Sequence, residues 1–222
     1  MAKMEWRPHV AYAAIAVLIL FAVLRSAIAT RTDSFTIDEA FHITAGVSYV
    51  KLGDFRLNPE HPPLVKLWVG RALASGFHLQ ALQPLSDKAA EREFTAKTVY
   101  LDNNPDRVQA RARIAMLMLN ALLLAFLAAA VVRTMGPAVG VAAMAVLAID
   151  PTIAAHMPVV MTDLSVALLA TTAVLFAVAA FRSGSWIDTA LATIALGLTL
   201  GAKHSGVITV FVVGGCGAAE IP

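Results

Sequence analysis

Apolar residues fall into long stretches at residues 10–29, 114–132, 137–149, 159–181 and 187–213, and one large polar segment at 30–113 separates the first two. A helix needs roughly 20 apolar residues to cross about 30 Å of hydrocarbon. The pattern therefore predicts an all-α polytopic membrane protein, a single membrane domain over 1–222 with about five transmembrane helices. The stretch at 137–149 is short for a span, covering only about 20 Å at 1.5 Å per residue, and Asp150-Pro151 ends it. The run that follows, TIAAHMPVVMTD, is apolar yet contains His156, Pro158 and Asp163. It reads as non-helical backbone at membrane depth, stable only where protein or water satisfies its polar groups. The last stretch carries Lys203 and His204 in an otherwise apolar sequence, with Gly197, Gly201 and Gly206 around them, so it reads as a helix that can break near 201–206.

The first stretch also fits a signal peptide, since Lys3 and Arg7 precede it and Ala27-Ile28-Ala29 ends it. Its length and the presence of Arg25 favour a retained anchor. If spans alternate, Lys3, Arg7, Arg133 and Arg182 fall on one side, whereas the link at 150–160 has no Lys or Arg. That asymmetry puts the N-terminus in the cytoplasm and the 30–113 loop on the outward face of a plasma (inner) membrane.

Composition narrows the class further. Hydrophobic residues make up 59% of the chain and charged residues 14%, with a mean hydropathy of +0.73, which is unlike a soluble domain. A net charge of +2 without a basic block excludes nucleic acid as a partner and leaves the membrane, with anionic lipid or a phosphorylated ligand as the anions to consider. The single cysteine, Cys216, excludes an intrachain disulfide and a thiolate cluster.

Chemistry is concentrated in the loop. Thr36 and Glu39 have the spacing of a capping box, and Asp38 suits the first turn of the helix they open. At 100° per residue, Ala40, Ile43, Val47 and Val50 form an apolar stripe, opposite Asp38, His42 and Tyr49. This predicts an interfacial amphipathic helix with those three side chains directed into the space above it. Gly53-Asp54 marks a turn, and Asn58-Pro59-Glu60-His61-Pro62-Pro63 then sets His61 just before a second juxtamembrane helix at 64–77, with Lys66 one turn inside it. The remainder of the loop, from about 80 to 113, reads as loop with a surface helix and offers no site.

Each candidate also has an ordinary structural role available. Glu39 can cap, Lys66 can snorkel to headgroups, Asp163 can begin a helix beside Thr162, and Asp150 can form a loop before proline. Lys203, at membrane depth, needs an anion, which can be Asp150, Asp163 or a lipid phosphate. Acids and histidines leave room for a divalent cation, but no spacing such as H-x-x-x-H demands one, and no metal site is assigned.

Taken together, the Asp38-Glu39 pair, GDFRLNPEHPPLVK at 53–66, DPTIAAHMPVVMTD at 150–163 and GLTLGAKHSG at 197–206 resemble the polyprenyl-phosphate-dependent glycosyltransferases of the GT-C fold. The nearest are the protein O-mannosyltransferase and aminoarabinose transferase group, and the resemblance is to the N-terminal half of such an enzyme. It implies that Asp38 is the catalytic base, and that Glu39, His42, His61, Lys66, Asp163 and Lys203 bind substrate. His61 and Lys66 of the H-P-P-L-x-K element, together with Lys203, would hold the lipid phosphate. It further implies inverting transfer from a polyprenyl-phosphate sugar, a donor substrate and not a cofactor, to an acceptor hydroxyl on a protein, lipid or glycan. A truncated chain, or one completed by a complementary membrane subunit, is then expected. The competing expectation is a non-enzymatic membrane protein, either a transporter fragment or a lipid-phosphate-binding subunit, because discontinuous helices and midplane lysines also occur in transporters.

Overall fold

The computed structural model describes residues 8–219, and every regular element among them is helical. Lys3 and Arg7, used above for orientation, lie outside the described residues. The helices are α1 (Pro8–Ala29), α2 (Glu39–Leu52), α3 (Leu64–Leu73), α4 (Lys88–Tyr100), α5 (Pro105–Met135), α6 (Pro137–Ile149), α7 (Pro151–His156), α8 (Asp163–Ser183), α9 (Trp186–Ala202) and α10 (Val207–Ala219). Three of them, α1, α5 and α8, are long and apolar enough to cross a membrane, while α6, α9 and the segment 204–217 are shorter apolar helices.

Local signals set the ends. Asn104 accepts a hydrogen bond from the Arg107 amide at 3.0 Å and Pro105 fills the first turn, so α5 starts at Pro105 and not at 114 as the apolar pattern suggested. Asp150 stops α6 and its carboxylate caps α7 through the Ile153 amide at 2.9 Å. The stretch after Pro151 is thus helical for one and a half turns, and only residues 157–162 have irregular backbone.

Apolar burial assembles the bundle. α1 packs against α5, α6 and α7; α5 packs against α6 and α8; α9 and α10 pack against α8. α1 is tied in by polar contacts as well, since Arg25 donates to the Ala148 and Asp150 carbonyls and Ser26 donates to Ala154. Because consecutive spans alternate in direction, the end of α1, the start of α5, the 150–163 link and the end of α9 all meet at one end of the bundle. The 30–104 layer lies over that end.

Within this layer α2 is not the half-exposed interfacial helix expected. Every residue from Glu39 to Tyr49 is buried, including His42 and Tyr49. The reason is α4, which comes from the polar segment read as loop and covers the face of α2 that the stripe left open to water. On the other side α2 meets α3 backbone to backbone. A Cβ built on Gly46 would lie 2.1 Å from the Lys66 carbonyl oxygen, and one on Gly70 would lie 2.0 Å from that of Gly46. Only hydrogen fits between these helices. Gly53 then ends α2 in the left-handed conformation, φ 64°, which a residue without Cβ adopts at no steric cost.

Candidate active site

The start of α2 forms one wall. Glu39 accepts a hydrogen bond from the Thr36 amide at 2.7 Å, one half of the expected capping box, but the Thr36 hydroxyl is buried without a partner and the helix begins after Asp38. The other Glu39 oxygen accepts from the Val160 amide at 3.2 Å, and Arg113 of α5 lies 3.7 Å away. Arg113 in turn donates to the carbonyls of Thr30, Asp33 and Ser34. Glu39 is fully buried, and its carboxylate joins α2, α5 and the 157–162 segment. Asp38, one residue earlier, is exposed and its carboxylate makes no hydrogen bond or ion pair among the described residues.

The NPEHPP turn forms the second wall, and Lys66 holds it. The Lys66 ammonium donates to the Asn58 carbonyl at 2.6 Å, the His61 carbonyl at 2.5 Å and the Tyr49 hydroxyl at 2.9 Å, while Tyr49 donates to the Leu57 carbonyl at 2.5 Å. Lys66 is fully buried, and these acceptors engage its three protons. With those bonds Lys66 shapes the turn that presents His61. Burial brings its pKa down to about 8, opposed by Glu60 and Glu91. Burial likewise pushes the Tyr49 phenol up to about 12. Lys66→Met is expected to destabilise the protein by about 2 kcal/mol, because the unpaired carbonyls and hydroxyl outweigh the desolvation relieved. A thermal unfolding curve in detergent measures this.

His42 and His61 face each other with ring centroids 5.2 Å apart. Burial lowers the His42 pKa to about 3, with His61 and Lys66 adding to the effect. His61 is lowered too, by burial first and then by Lys203 and Lys66. Both imidazoles are thus neutral near pH 7, and each has a buried Nδ1 without a partner. A histidine whose folded pKa lies below its unfolded value contributes stability above about 6.5 that is lost as pH falls toward 3. Stability is expected to drop between pH 7 and pH 5, and His42→Phe to flatten that dependence in paired unfolding curves.

The third wall comes from membrane depth. Lys203 stands in extended backbone, φ −154° and ψ 145°, between α9 and the 3-10 turn His204–Gly206. Gly206 permits this turn: a Cβ there would come 2.6 Å from the Thr199 carbonyl oxygen. Gly201 approaches Leu64 of α3, and Gly197 faces open space. The Lys203 ammonium pairs with Asp163, at the start of α8, at 2.5 Å, and both side chains are partly exposed. Asp163 is thus its counterion; Asp150 is spent on capping α7. Asn120 of α5 supports the wall by donating to the Met157 carbonyl at 2.8 Å and accepting from Ser165.

His42, His61, Asp163 and Lys203 therefore gather at one end of the bundle. Asp38 lies one helical turn before His42, whose amide donates to the Asp38 carbonyl at 3.2 Å, while Glu39 and Lys66 are buried. Sequence reasoning missed Arg113, Asn120, Asn58, Lys88 and Glu91. Lys88 pairs with Glu60 and Glu91, each at 2.8 Å, and Glu91 accepts from the Asn58 amide at 2.6 Å, closing the turn against α4. Only Asn120 carried a signal, as a polar residue deep in an apolar stretch. Among the described residues no three His, Cys, Asp or Glu side chains are placed to hold a metal ion.

These features define a multi-pass membrane protein with a titratable site where its polar loop meets the ends of its spans. The family model for dolichyl-phosphate-mannose-protein mannosyltransferase matches residues 15–221, and the chain belongs to that family. It is thereby a membrane glycosyltransferase of the mannosyltransferase type. Comparison with curated proteins and with solved structures yields no match.

Proposed function

We propose that this protein transfers a sugar from a polyprenyl-phosphate-linked donor to an acceptor hydroxyl on the outward face of the membrane, inverting the anomeric carbon. The observation that carries this reading is the partly exposed Lys203–Asp163 pair beside two neutral histidines, with the unpaired Asp38 carboxylate at the edge of the same site. The family's dolichyl-phosphate-mannose gives the donor class, a sugar linked through phosphate to a long isoprenoid.

In this scheme Asp38 accepts the proton of the acceptor hydroxyl as its oxygen attacks the anomeric carbon. The bond from that carbon to the phosphate oxygen breaks, and negative charge grows on the departing phosphate. Lys203 turns from Asp163 to meet that charge, and a neutral His61 supplies a ring N–H donor. Both act more strongly in a water-poor site than they would in bulk water. Asp163 and His42 orient the donors.

The test is release of polyprenyl phosphate from a labelled polyprenyl-phosphate mannose in proteoliposomes. Lys203→Met is expected to slow release about 100-fold with the fold retained. Donor binding without release by the unaltered protein would replace this reading with a lipid-phosphate-binding subunit, and uptake of the sugar into the vesicles would replace it with a transporter.

A further inference from the structure

A cavity of about 450 Å³ lies on the outer side of the α3–α5 contact, at the opposite end of α3 from the NPEHPP turn. Its apolar walls are Trp68, Ile114 and Met118, and Arg71 and Arg111 stand at its rim. The Trp68 indole donates its N–H to the Ala115 carbonyl at 2.7 Å, which fixes the ring as a wall. Arg111 donates to the Ala72 and Ser75 carbonyls, and Arg71 makes one long contact, 3.4 Å, to the Leu67 carbonyl. Neither guanidinium has a carboxylate partner among the described residues, so the rim carries uncompensated positive charge.

The cavity sits where α5 passes from polar to apolar. Arg111, Ile114, Met118 and Leu122 follow one another at helical spacing on one face, and the last three are each more than half exposed. From Arg111 to Leu122 this face runs about 16 Å along the helix, close to the length of an acyl chain in one leaflet. A charged head above a greasy lane is the shape of a phospholipid with a net negative headgroup. We propose that this slot binds one anionic phospholipid of the surrounding bilayer, its phosphate at Arg71 and Arg111 and an acyl chain along Trp68, Ile114 and Met118. The bound lipid would brace α3, and through it the turn that presents His61. A zwitterionic lipid fits the apolar lane but brings a cation to the rim, so the arginines select against it.

The test uses the full chain in vesicles with Trp6→Phe and Trp186→Phe, leaving Trp68 as the single tryptophan of the three. Fluorescence quenching is compared for phosphatidylglycerol and phosphatidylcholine brominated on the acyl chain. Half-maximal quenching by the phosphatidylglycerol is expected at a mole fraction about fivefold lower, the discrimination expected of one arginine near the headgroup plane. Arg71→Gln, at an exposed position, is expected to narrow that difference to about twofold or less, with Arg111 keeping the remainder, without moving the unfolding midpoint. Equal quenching by the two lipids with the unaltered Arg71, or an Arg71→Gln variant that discriminates as well as the protein with Arg71, overturns the proposal. So does relief of quenching by polyprenyl phosphate at a tenth of the phospholipid's mole fraction, which would give the slot to the donor's chain. Because the readout is lipid contact and not turnover, failure here leaves the transferase reading standing.

Discussion

Replacing Asp38 with asparagine is expected to reduce sugar transfer by about three orders of magnitude, the middle of the range a positioned base supplies. The same change is expected to leave the unfolding midpoint in detergent almost unmoved. The two halves of this result come from one observation: the Asp38 side chain is exposed and makes no bond that the fold depends on. Its neighbour provides the contrast. Glu39→Gln can accept from only one of the Thr36 and Val160 amides, turns its NH2 toward the other donor and discards the charge beside Arg113 in a fully buried place, so stability should fall along with activity. Release of labelled polyprenyl phosphate, measured with a melting curve on each variant, separates the two. Full transfer by Asp38→Asn would remove the base from the scheme.

Gly70→Ala is expected to cost at least about 3 kcal/mol and to abolish transfer without touching a reacting group. Two effects oppose each other. Alanine gains about 1 kcal/mol over glycine in helix propensity, yet its methyl would stand 2.0 Å from the Gly46 carbonyl oxygen, so α2 and α3 must separate. Overpacking wins because the obstacle is backbone and cannot rotate away. Once the helices part, Lys66 loses the register that lets it reach Tyr49 and Asn58 together, and His61 is no longer held against His42. Gly197→Ala, where a Cβ meets nothing within 4 Å, serves as the control and should be neutral or slightly stabilising. Unfolding curves of the three proteins decide the matter.

Much of the membrane-embedded part was legible because its punctuation is local. Gly136-Pro137 and Asp150-Pro151 bracket α6, and Lys203 with its flanking glycines marks the interruption after α9. The loop layer was not legible to the same degree. α4 reads KAAEREFTAKTVY, and among its buried positions are Glu91, Thr95 and Thr98, so apolar periodicity cannot reveal it. A surface helix was expected in this segment but not its packing on α2, so α2 looked half wet. The surroundings of Lys66 were hidden for a similar reason: its ammonium meets Tyr49 of α2 together with Asn58 and His61 of the turn, and no spacing rule predicts such a cage. Asp38, His42, His61, Asp163 and Lys203 could be singled out because charge beside or within apolar stretches is costly wherever it lies.

The contact between Lys203 and Asp163 has a consequence for how such a catalyst turns over. Under the proposed scheme the Asp163 carboxylate and the departing phosphate compete for Lys203, so an arriving donor would displace that counterion and a spent carrier would be displaced by its return. Tenacity toward the ligand is sacrificed for a rapid reset, which suits a machine that must hand its long-tailed product back to the bilayer after every cycle.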